Sequence, residues 1–355
     1  MSTPPVASPV VVLHDHRDLR RHLPRLRDYV AEAGLVPLSR DPAWLTVLER
    51  GLGHAPYCLE ATEGGQTRGM LPLAHVESLM FGRFLASLPY LNYGGVLADD
   101  AAIASALVDR ATELADRLDV RYLELRQVEP VDHPALGRRE GGKVHMRLDL
   151  PATPGALWAA LPGKVRNQVR KGQKGGLEVA WGGAELLDDF YDVFCRNMRD
   201  LGTPVFGLDL FRAIFEEFAA KAELCVVRAG DEPAAAALLL HGWGIAEVPS
   251  ASSLRRFNST CANMLMYWSL LERAIGRGQE VFDFGRSSPD GSTYKFKKQW
   301  GAEPLAAGWQ YYLRAGEATD MRPDNPRYRR MIRLWQHLPV AMTRLIGPPI
   351  VRGIP

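Results

Sequence analysis

Hydrophobic and polar positions follow two different periods along the first half of the chain. Residues 19–33, 42–51 and 100–118 carry apolar side chains at three- and four-residue steps, which predicts helices, although Pro24 argues against the start of the first one. Shorter alternating runs predict strands at 57–61, 67–76, 84–88 and 121–126. The first half is therefore expected to combine meandering strands with crossing helices.

The second half of the chain repeats this order. Helical spacing recurs over residues 155–161, 165–173, 184–201, 209–222 and 263–276. Extended apolar runs predict strands over residues 144–150, 223–229, 234–240, 244–250, 281–284 and 309–313. Two successive halves with similar ordering predict an α+β fold made of two tandem modules, each a mixed sheet flanked by helices.

A cluster of helix-breaking residues separates the halves. Pro151, Pro154 and Gly155 interrupt the pattern and indicate a boundary, and the 355 residues are enough for two ordinary domains. We therefore predict a module over residues 1–150, a second module with the motifs over residues 151–315, and a basic amphipathic tail over residues 316–355.

The composition is that of a soluble globular protein. Hydrophobic residues make up 46% of the chain and charged residues 24%, which excludes a fibrous or largely disordered protein. The 43 basic and 41 acidic residues leave a net charge of +2, so a site for an anionic partner must be a local patch. No apolar run approaches the roughly 18 residues of a membrane span, and the first residues lack a signal-peptide core. We expect a cytoplasmic protein without a transmembrane segment.

Neither cysteine nor histidine spacing indicates a metal site. The four cysteines stand singly, which argues against a disulfide framework and a zinc knuckle. The nine histidines form no spacing typical of zinc hydrolases or deaminases. We therefore predict no metal and no bound cofactor.

A basic run near the start of the second half is a candidate anion site. It has no acid before Glu178 and contains Lys164, Arg166, Arg170, Lys171 and Lys174. A merely soluble helix usually carries oppositely charged pairs four residues apart, so this run favours binding of a phosphate or pyrophosphate. The alternative is a solvated charged face.

A polar segment at residues 250–263 lies between a predicted strand and a predicted helix. A helix N-terminus presents free N–H groups to a phosphate or an oxyanion, and the candidate ligands here are Arg255, Asn258, Ser259, Thr260 and Asn263. Ordinary helix capping is the alternative. Cys261 is more typical of a packed residue than of a nucleophile, since no histidine is near it in sequence.

Residues 282–288 place polar groups at a strand end beside a glycine. Basic loops at strand ends are where α/β proteins usually bind ligands, and the candidates here are Asp283, Arg286, Ser287, Lys295 and Lys298. The alternative is that Asp283 caps the loop or pairs with Arg286.

These segments carry a resemblance to a known family. They are VPSASSLRRFN at 248–258, NMLMYW at 263–268, FDFGRSS at 282–288, YKFKKQWGA at 294–302, PYLNYGGV at 89–96 and KVRNQVRKG at 164–172. Together they resemble the FemAB-like branch of the GNAT-related acyltransferases, most of all the subgroup associated with exosortase/PEP-CTERM and exopolysaccharide systems. The resemblance implies two GNAT-like modules in tandem, in agreement with the duplicated pattern.

The resemblance also implies a chemistry. An acyl or aminoacyl group passes to an amine, and Fem-type members take aminoacyl-tRNA as donor and a nucleotide- or lipid-linked envelope precursor as acceptor. Glu247 and Asp283 are then candidates for the base, and Tyr294 for the acid. The R/Q-x-x-G-x-G/A loop of acetyl-CoA users is missing, and so is the long helical arm of staphylococcal Fem proteins. The donor, aminoacyl-tRNA or acyl-CoA, therefore stays open.

Two further functions compete with this one. An acyl-CoA-dependent N-acetyltransferase would differ only in its donor. A non-catalytic module that binds a nucleotide-linked glycan or tRNA would keep a basic groove but transfer nothing.

The tail is basic and amphipathic. After residue 321 it holds one acid, Asp324, against seven arginines, which are Arg322, Arg327, Arg329, Arg330, Arg333, Arg344 and Arg352. Its apolar positions include Met331, Leu334 and Trp335, and Pro339 is expected to break its helix. Docking on the preceding module is favoured over contact with an anionic membrane or tRNA, because apolar helix faces usually bury.

Overall fold

The computed structural model describes residues 9–78, 81–138, 143–314 and 329–354. The helices are α1 Leu19–Glu32, α2 Trp44–Leu52, α3 Ala101–Arg117, α4 Pro154–Ala160, α5 Gly163–Lys174, α6 Leu187–Leu201, α7 Leu208–Phe218, α8 Ala262–Gly276, α9 Ser292–Lys298, α10 Arg329–His337 and α11 Val340–Val351. Short 3₁₀ turns lie at Leu38–Arg40, Ala184–Leu186 and Arg255–Thr260.

The strands form two sheets. They are β1 Val10–Asp15, β2 Val36–Pro37, β3 Ala55–Glu63, β4 Gln66–Ser78, β5 Gly82–Ala86, β6 Leu97–Ala98, β7 Tyr122–Leu125, β8 Gly137–Arg138, β9 Val144–Asp149, β10 Leu177–Gly182, β11 Ala222–Ala229, β12 Glu232–His241, β13 Gly244–Ser253, β14 Val281–Ser287, β15 Glu303–Ala306 and β16 Gln310–Leu313.

The two sheets have the same order of strands. The first runs β1-β3-β4-β5-β7-β16-β8 and the second runs β10-β11-β12-β13-β14-β9-β15. In each, a parallel pair is joined by one crossover helix, α3 between β5 and β7 and α8 between β13 and β14. The remaining neighbours along both orders are antiparallel. The prediction of a tandem α+β fold with mixed sheets is confirmed.

The two halves exchange strands at their ends. β9 follows β8 in the chain, yet β8 pairs in the first sheet and β9 pairs with β14 and β15 in the second. In the same way β16, which follows β15, pairs with β7 in the first sheet. Main-chain hydrogen bonds therefore tie each half to the other, and the boundary predicted at residue 150 follows a strand of the second sheet.

One apolar core lies between the halves. Leucines of α1 and α2 share it with phenylalanines of α6 and α7 and with apolar side chains of β11 and β12. α2 and α7 approach so closely that a Cβ on Gly51 would lie 2.7 Å from the Cα of Leu210. The opposite face of the second sheet packs on α5 and α8, and that of the first sheet packs on α3. The face of the second sheet that meets the first half is the face that carries the site described below.

Several elements differ from the sequence predictions. α1 continues through Pro24, which lies on the exposed side while Leu23, Leu26 and Val30 bury the other side. The helix predicted to reach Ala222 ends at Phe218, because Ala222 already pairs in β11. β1, β10, α9 and β15 were not predicted, since each is short and only partly buried.

The helices of the tail dock on α6 of the second half, and the end of the tail contacts the first half at Tyr90. α10 and α11 both contact α6, and Pro339 separates them as predicted. Arg344 pairs with Asp192 of α6 at 2.7 Å, and the amide of Gln336 donates to the carbonyl of Asp200 at 3.2 Å. None of the helices in the described ranges is long and apolar enough to cross a membrane.

Candidate functional site

Two carboxylates meet where parallel strands part. β13 pairs with β14 through Ile245↔Val281, Ala246↔Phe282 and Glu247↔Asp283. Beyond this last pair, β13 continues along β12 and β14 continues along β9. Side chains at paired positions point to the same face of a sheet, so Glu247 and Asp283 lie side by side. Both residues are buried, with 3% and 1% exposure.

A bulge in β14 shapes the site just after Asp283. Gly285 has a φ of +76° and a Cβ there would lie 3.2 Å from the amide nitrogen of Asn92, so glycine suits both the turn and the close approach. Lys297 of α9 donates to the carbonyls of Gly285 and Arg286 at 3.0 and 2.9 Å. Burial lowers the pKa of Lys297 to about 8. The buried lysine thus holds the bulge in place.

Asp283 accepts hydrogen bonds from both halves of the chain. Tyr93, from the loop between β5 and β6, donates its hydroxyl to Oδ2. Arg147 of β9 donates to the same oxygen at 3.0 Å, and the N–H of Gly285 donates to Oδ1 at 2.7 Å. Burial raises the pKa of Tyr93 above its ordinary value, which keeps its hydroxyl protonated. Asp283 is therefore well supplied with donors.

Within the described part of the chain, Ser39 alone donates hydrogen bonds to the Glu247 carboxylate. The N–H of Ser39 donates to Oε2 at 2.8 Å and its hydroxyl donates to Oε1 at 2.7 Å. Burial and the negative charge of Asp283 raise the pKa of Glu247 to about 7, against these two hydrogen bonds. Glu247 thus exchanges a proton near neutral pH, as a general acid or base must.

Aromatic and cationic groups surround the two carboxylates. His145 of β9 stacks on Tyr93 at 4.3 Å, and the Arg147 guanidinium lies 4.9 Å from the same ring. Burial lowers the pKa of His145 to about 4, and neither ring nitrogen has a hydrogen-bond partner within the described part of the chain. Arg40 donates to the carbonyls of Gly95 and Val96, which fixes the loop that carries Tyr93.

The other residues predicted around residues 282–302 are spread over this region. Arg286 lies over the ring of Trp309 at 3.9 Å, and Ser287 is buried. Tyr294 packs against the apolar cluster of the second sheet. The tyrosine that donates its hydroxyl to Asp283 is Tyr93. Lys295 and Lys298 are exposed on α9. Of the three lysines in this motif, the buried one is Lys297.

The polar segment 250–263 forms the end of β13, a 3₁₀ turn and the start of α8. Cys261 has a φ of 63° and provides no side-chain cap. The Thr260 hydroxyl donates to the carbonyl of Phe257 at 2.7 Å. Asn258 and Ser259 are exposed and Asn263 is half-buried, while Arg255 donates to the carbonyl of Asp200. The side chain of the N-cap residue thus makes no hydrogen bond to the first N–H groups of α8.

The basic run lies on α5, and the last turn of that helix lies beside this N-terminus. A Cβ on Gly172 would lie 3.4 Å from the carbonyl of Cys261, so the last turn of α5 touches the start of α8. Lys164, Arg170, Lys171 and Lys174 are exposed and Arg166 is half-buried. The Arg170 guanidinium lies 5.4 Å from the ring of Trp158. The run is therefore available to an anion near the α8 N-terminus.

A histidine cluster lies in the first half, far along the chain from this site. Ligand atoms of His14, His22 and Glu60 lie within 4.8 Å of one another. The two ring nitrogens of His14 already contact Asp18 at 3.1 Å and Glu60 at 2.9 Å, and Arg25 donates to Glu60 at 2.5 Å. The hydrogen bond with Glu60 raises the pKa of His14. These contacts form an ion-pair network around Glu60, with an arginine where a cation would have to bind.

Part of the chain matches a known protein family, and the fold agrees with that match. Residues 163–298 match the family described as the acetyltransferase (GNAT) domain. The chain has a GNAT-like tandem fold, in which two sheets of the same topology each contain one parallel pair crossed by a helix. The carboxylate pair lies within the matched residues.

Solved structures of known proteins share this fold. FemX superposes with a TM-score of 0.65 at 15% identity over 81% of this chain and 95% of that chain. A tandem GNAT protein from the clavulanic acid biosynthesis pathway gives 0.54 at 13% identity over 87% and 100%. L-PGS from Bacillus licheniformis gives 0.54 at 12% identity over 91% and 97%. None of the curated proteins compared with the chain matches it.

The sequence did not single out the partners of the two carboxylates. Tyr93 lies in the segment 89–96, which is part of the family resemblance but has no local pattern that marks Tyr93 as a site residue. Ser39 and Arg147 carry no local signal, because their role depends on contacts with residues more than a hundred positions away. Lys297 could have been chosen over its neighbours if the helical phase of α9 had been known.

Proposed function

We propose that this chain is an N-acyltransferase of the FemAB type, which moves an acyl or aminoacyl group to the amine of a cell-envelope or exopolysaccharide precursor in the cytoplasm. The observation that carries the proposal is the Glu247–Asp283 pair, at the point where β13 and β14 part. Parting strands leave main-chain groups free to bind an extended substrate next to a titratable carboxylate. Burial and the charge of Asp283 bring the pKa of Glu247 to about 7, which suits a group that exchanges a proton during a reaction.

The proposed reaction needs one proton acceptor. The lone pair of the amine attacks the donor carbonyl carbon and forms the C–N bond. Glu247 takes the proton that the nitrogen must lose, the bond to the ribose oxygen of tRNA or the sulfur of CoA breaks, and Glu247 passes that proton on to the leaving oxygen or sulfur. Asp283 is a positioning residue in this scheme, since its oxygens accept from Tyr93, Arg147 and Gly285 and its charge raises the pKa of Glu247.

The remaining predicted site residues are assigned to binding. Donor phosphates are proposed to bind at the α8 N-terminus between the basic run of α5 and the polar turn. The residues are Lys164, Arg166, Arg170, Lys171, Arg255, Asn258, Ser259, Thr260 and Asn263, with Arg286, Ser287, Lys295 and Lys298 at the strand end. Tyr294 remains a candidate acid, although it packs against apolar residues.

Aminoacyl-tRNA is the preferred donor in this proposal. In acetyl-CoA users, glycines let backbone N–H groups approach the pyrophosphate closely. Here Cys261, not a glycine, occupies the left-handed conformation at the start of α8, and Phe257 is half-buried beside it. Side chains at these positions crowd the approach of a pyrophosphate. The resemblance to the exosortase/PEP-CTERM subgroup supports the choice of acceptor.

An acyl-CoA-dependent N-acetyltransferase is the second candidate, because the family matched by residues 163–298 is described as an acetyltransferase domain. It would use the same carboxylates with a different donor. A binding module without transfer activity is the third reading.

A donor screen tests these alternatives. The full chain is incubated with labelled aminoacyl-tRNA or labelled acetyl-CoA and a set of amines, and transfer of label is measured beside binding at several salt concentrations. We expect transfer from aminoacyl-tRNA, with an affinity that falls steeply with salt as phosphate contacts release counterions. Micromolar binding and transfer of acetyl-CoA would select the second candidate.

The matched control separates catalysis from binding. Glu247→Gln keeps the size of the side chain and can still accept from Ser39, but it cannot take up a proton. It is expected to bind the donor as the wild type does and to lose transfer. Donor binding without transfer by either protein, across both donors, would support a binding module.

A further inference from the structure

The exposed face of α11 is apolar throughout. Its exposed residues are Ala341, Met342, Leu345, Ile346 and Pro349, and 78% of Leu345 is exposed. The charged residue of this helix, Arg344, points the other way, where it pairs with Asp192 at 2.7 Å and lies 5.5 Å from the ring of Tyr191. An ordinary surface helix does the reverse, because it buries its apolar face and exposes its charges.

α10 adds positive charge beside further apolar groups. Its half-buried residues, Ile332, Trp335 and Gln336, lie on the side that meets α6, and a Cβ on Gly202 would lie 2.5 Å from Ile332. Its exposed side chains are Arg330, Met331, Arg333, Leu334 and His337. Leu334 and Met331 are 71% and 55% exposed. The two helices thus dock on α6 and still present large apolar side chains to the outside.

From the exposed residues of this helix pair we infer that α10 and α11 bind the surface of an anionic lipid bilayer. Charge complementarity identifies the occupant, since residues 325–355 contain no aspartate or glutamate while α10 exposes Arg330 and Arg333. Leucine and methionine side chains enter the boundary between headgroups and acyl chains, and arginines contact anionic headgroups. This inference concerns a separate surface and does not rest on the proposed enzymatic function.

A second copy of the chain is a poorer occupant. A two-fold interface would place the same patch against itself, so the arginines of both copies would share one interface to which α10 and α11 contribute no acid. A bilayer with anionic headgroups avoids this repulsion. The residues that flank the two helices are also anchored to the rest of the protein, because Arg199 donates to the carbonyl of Leu338 at 3.1 Å and Tyr90 donates to the carbonyl of Arg352.

Vesicle flotation of the full chain tests the inference. Vesicles of phosphatidylcholine alone are compared with vesicles that also contain phosphatidylglycerol, at low and high salt. We expect binding to the anionic vesicles, weaker binding at high salt, and little binding to phosphatidylcholine alone. Leu345→Asp is expected to weaken binding about tenfold or more, since it places a charge in the acyl boundary. Leu334→Asp is the second variant, and Val10→Asp, at an exposed position of β1, is the matched control.

Each outcome decides the inference. Thermal unfolding of the variants checks that they fold. We expect them to fold, because Leu334, Leu345 and Val10 are exposed. Wild-type protein that stays with neither kind of vesicle, or variants that float as well as the wild type, would overturn it. Equal binding to both vesicle types would overturn the inference that the surface selects anionic lipids. A dimer in light scattering that Leu345→Asp dissociates, without flotation of the wild type, would assign the surface to a second copy instead.

Discussion

The first and second sheets contain the same junction of parallel strands, but only one junction brings two carboxylates together. In the first sheet, β5 and β7 pair through Leu85↔Leu123 and Ala86↔Glu124. In the second sheet the corresponding last pair is Glu247↔Asp283. Alanine thus occupies the position of Glu247 in the first junction. The shared topology provides the same location twice, and the side chains decide which location can exchange a proton.

The hydrogen-bond partners and the pKa shifts of Glu124 and Glu247 also differ between the two junctions. Glu124 accepts from Arg126 at 2.6 Å and from the Tyr311 hydroxyl at 2.8 Å. Burial opposes ionisation of Glu124, but the charge and hydrogen bond of Arg126 outweigh it and lower its pKa. In the second junction, burial and Asp283 raise the pKa of Glu247 to about 7. The first junction is neutralised and structural, whereas the second keeps a carboxylate that titrates near neutral pH.

The largest expected effect is on turnover at the second junction. Asp283→Asn removes the charge that raises the pKa of Glu247 and weakens the hydrogen bond from Arg147. We expect turnover to fall about 10²-fold with little change in donor affinity, as measured by kcat and by equilibrium binding. Turnover near that of the wild type would leave Asp283 as a structural residue only.

At the first junction, we expect a substitution to lower the free energy of unfolding and to leave turnover unchanged. Glu124→Gln leaves Arg126 without its buried anion and is expected to cost about 2 kcal/mol of unfolding free energy at pH 7. Since the folded-state pKa of Glu124 is lowered, its contribution is present above the ordinary glutamate pKa and is lost as the pH falls. Urea unfolding at several pH values measures this. A large loss of turnover in the folded variant would contradict the division between the junctions.

The basic run gives a smaller effect on binding. Arg166→Ala combined with Arg170→Ala removes two guanidinium groups of α5, the helix whose last turn touches the start of α8. We expect a donor or other phosphate-bearing ligand to bind about tenfold more weakly, because arginine–phosphate contacts are charge-assisted. The melting temperature should stay close to that of the wild type, since Arg170 is exposed and Arg166 half-buried. Unchanged affinity would assign the run to a solvated surface.

The smallest effect is expected at Tyr93. Tyr93→Phe removes one of three donors to Asp283 and keeps the ring that stacks on His145. The expected cost is about 1 kcal/mol of stability, because Arg147 and Gly285 still contact the carboxylate. Denaturant unfolding measures it. A cost as large as that of Glu124→Gln would mean that the contact between the halves depends chiefly on Tyr93.

The pattern of apolar residues predicted most helices, most strands and the duplication, because these depend on local periodicity. It could not predict the exchange of β9 and β16, since strand pairing depends on residues far away in the chain. Glu247 and Asp283 could be chosen from their places on predicted strands. Ser39 could not, because 208 residues separate it from Glu247. The sequence favours Lys295 and Lys298 over Lys297, because the pattern does not predict α9, the helix whose phase buries Lys297.

The most direct test of the account is the pH dependence of kcat for the wild type and for Glu247→Gln. Below pH 7 Glu247 is protonated and cannot accept the proton of the amine, so wild-type turnover should rise with pH and level off above about 7. Glu247→Gln should be about 10²-fold slower, without this inflection. A variant that keeps both the rate and the inflection of the wild type would contradict the assignment of Glu247 as the base.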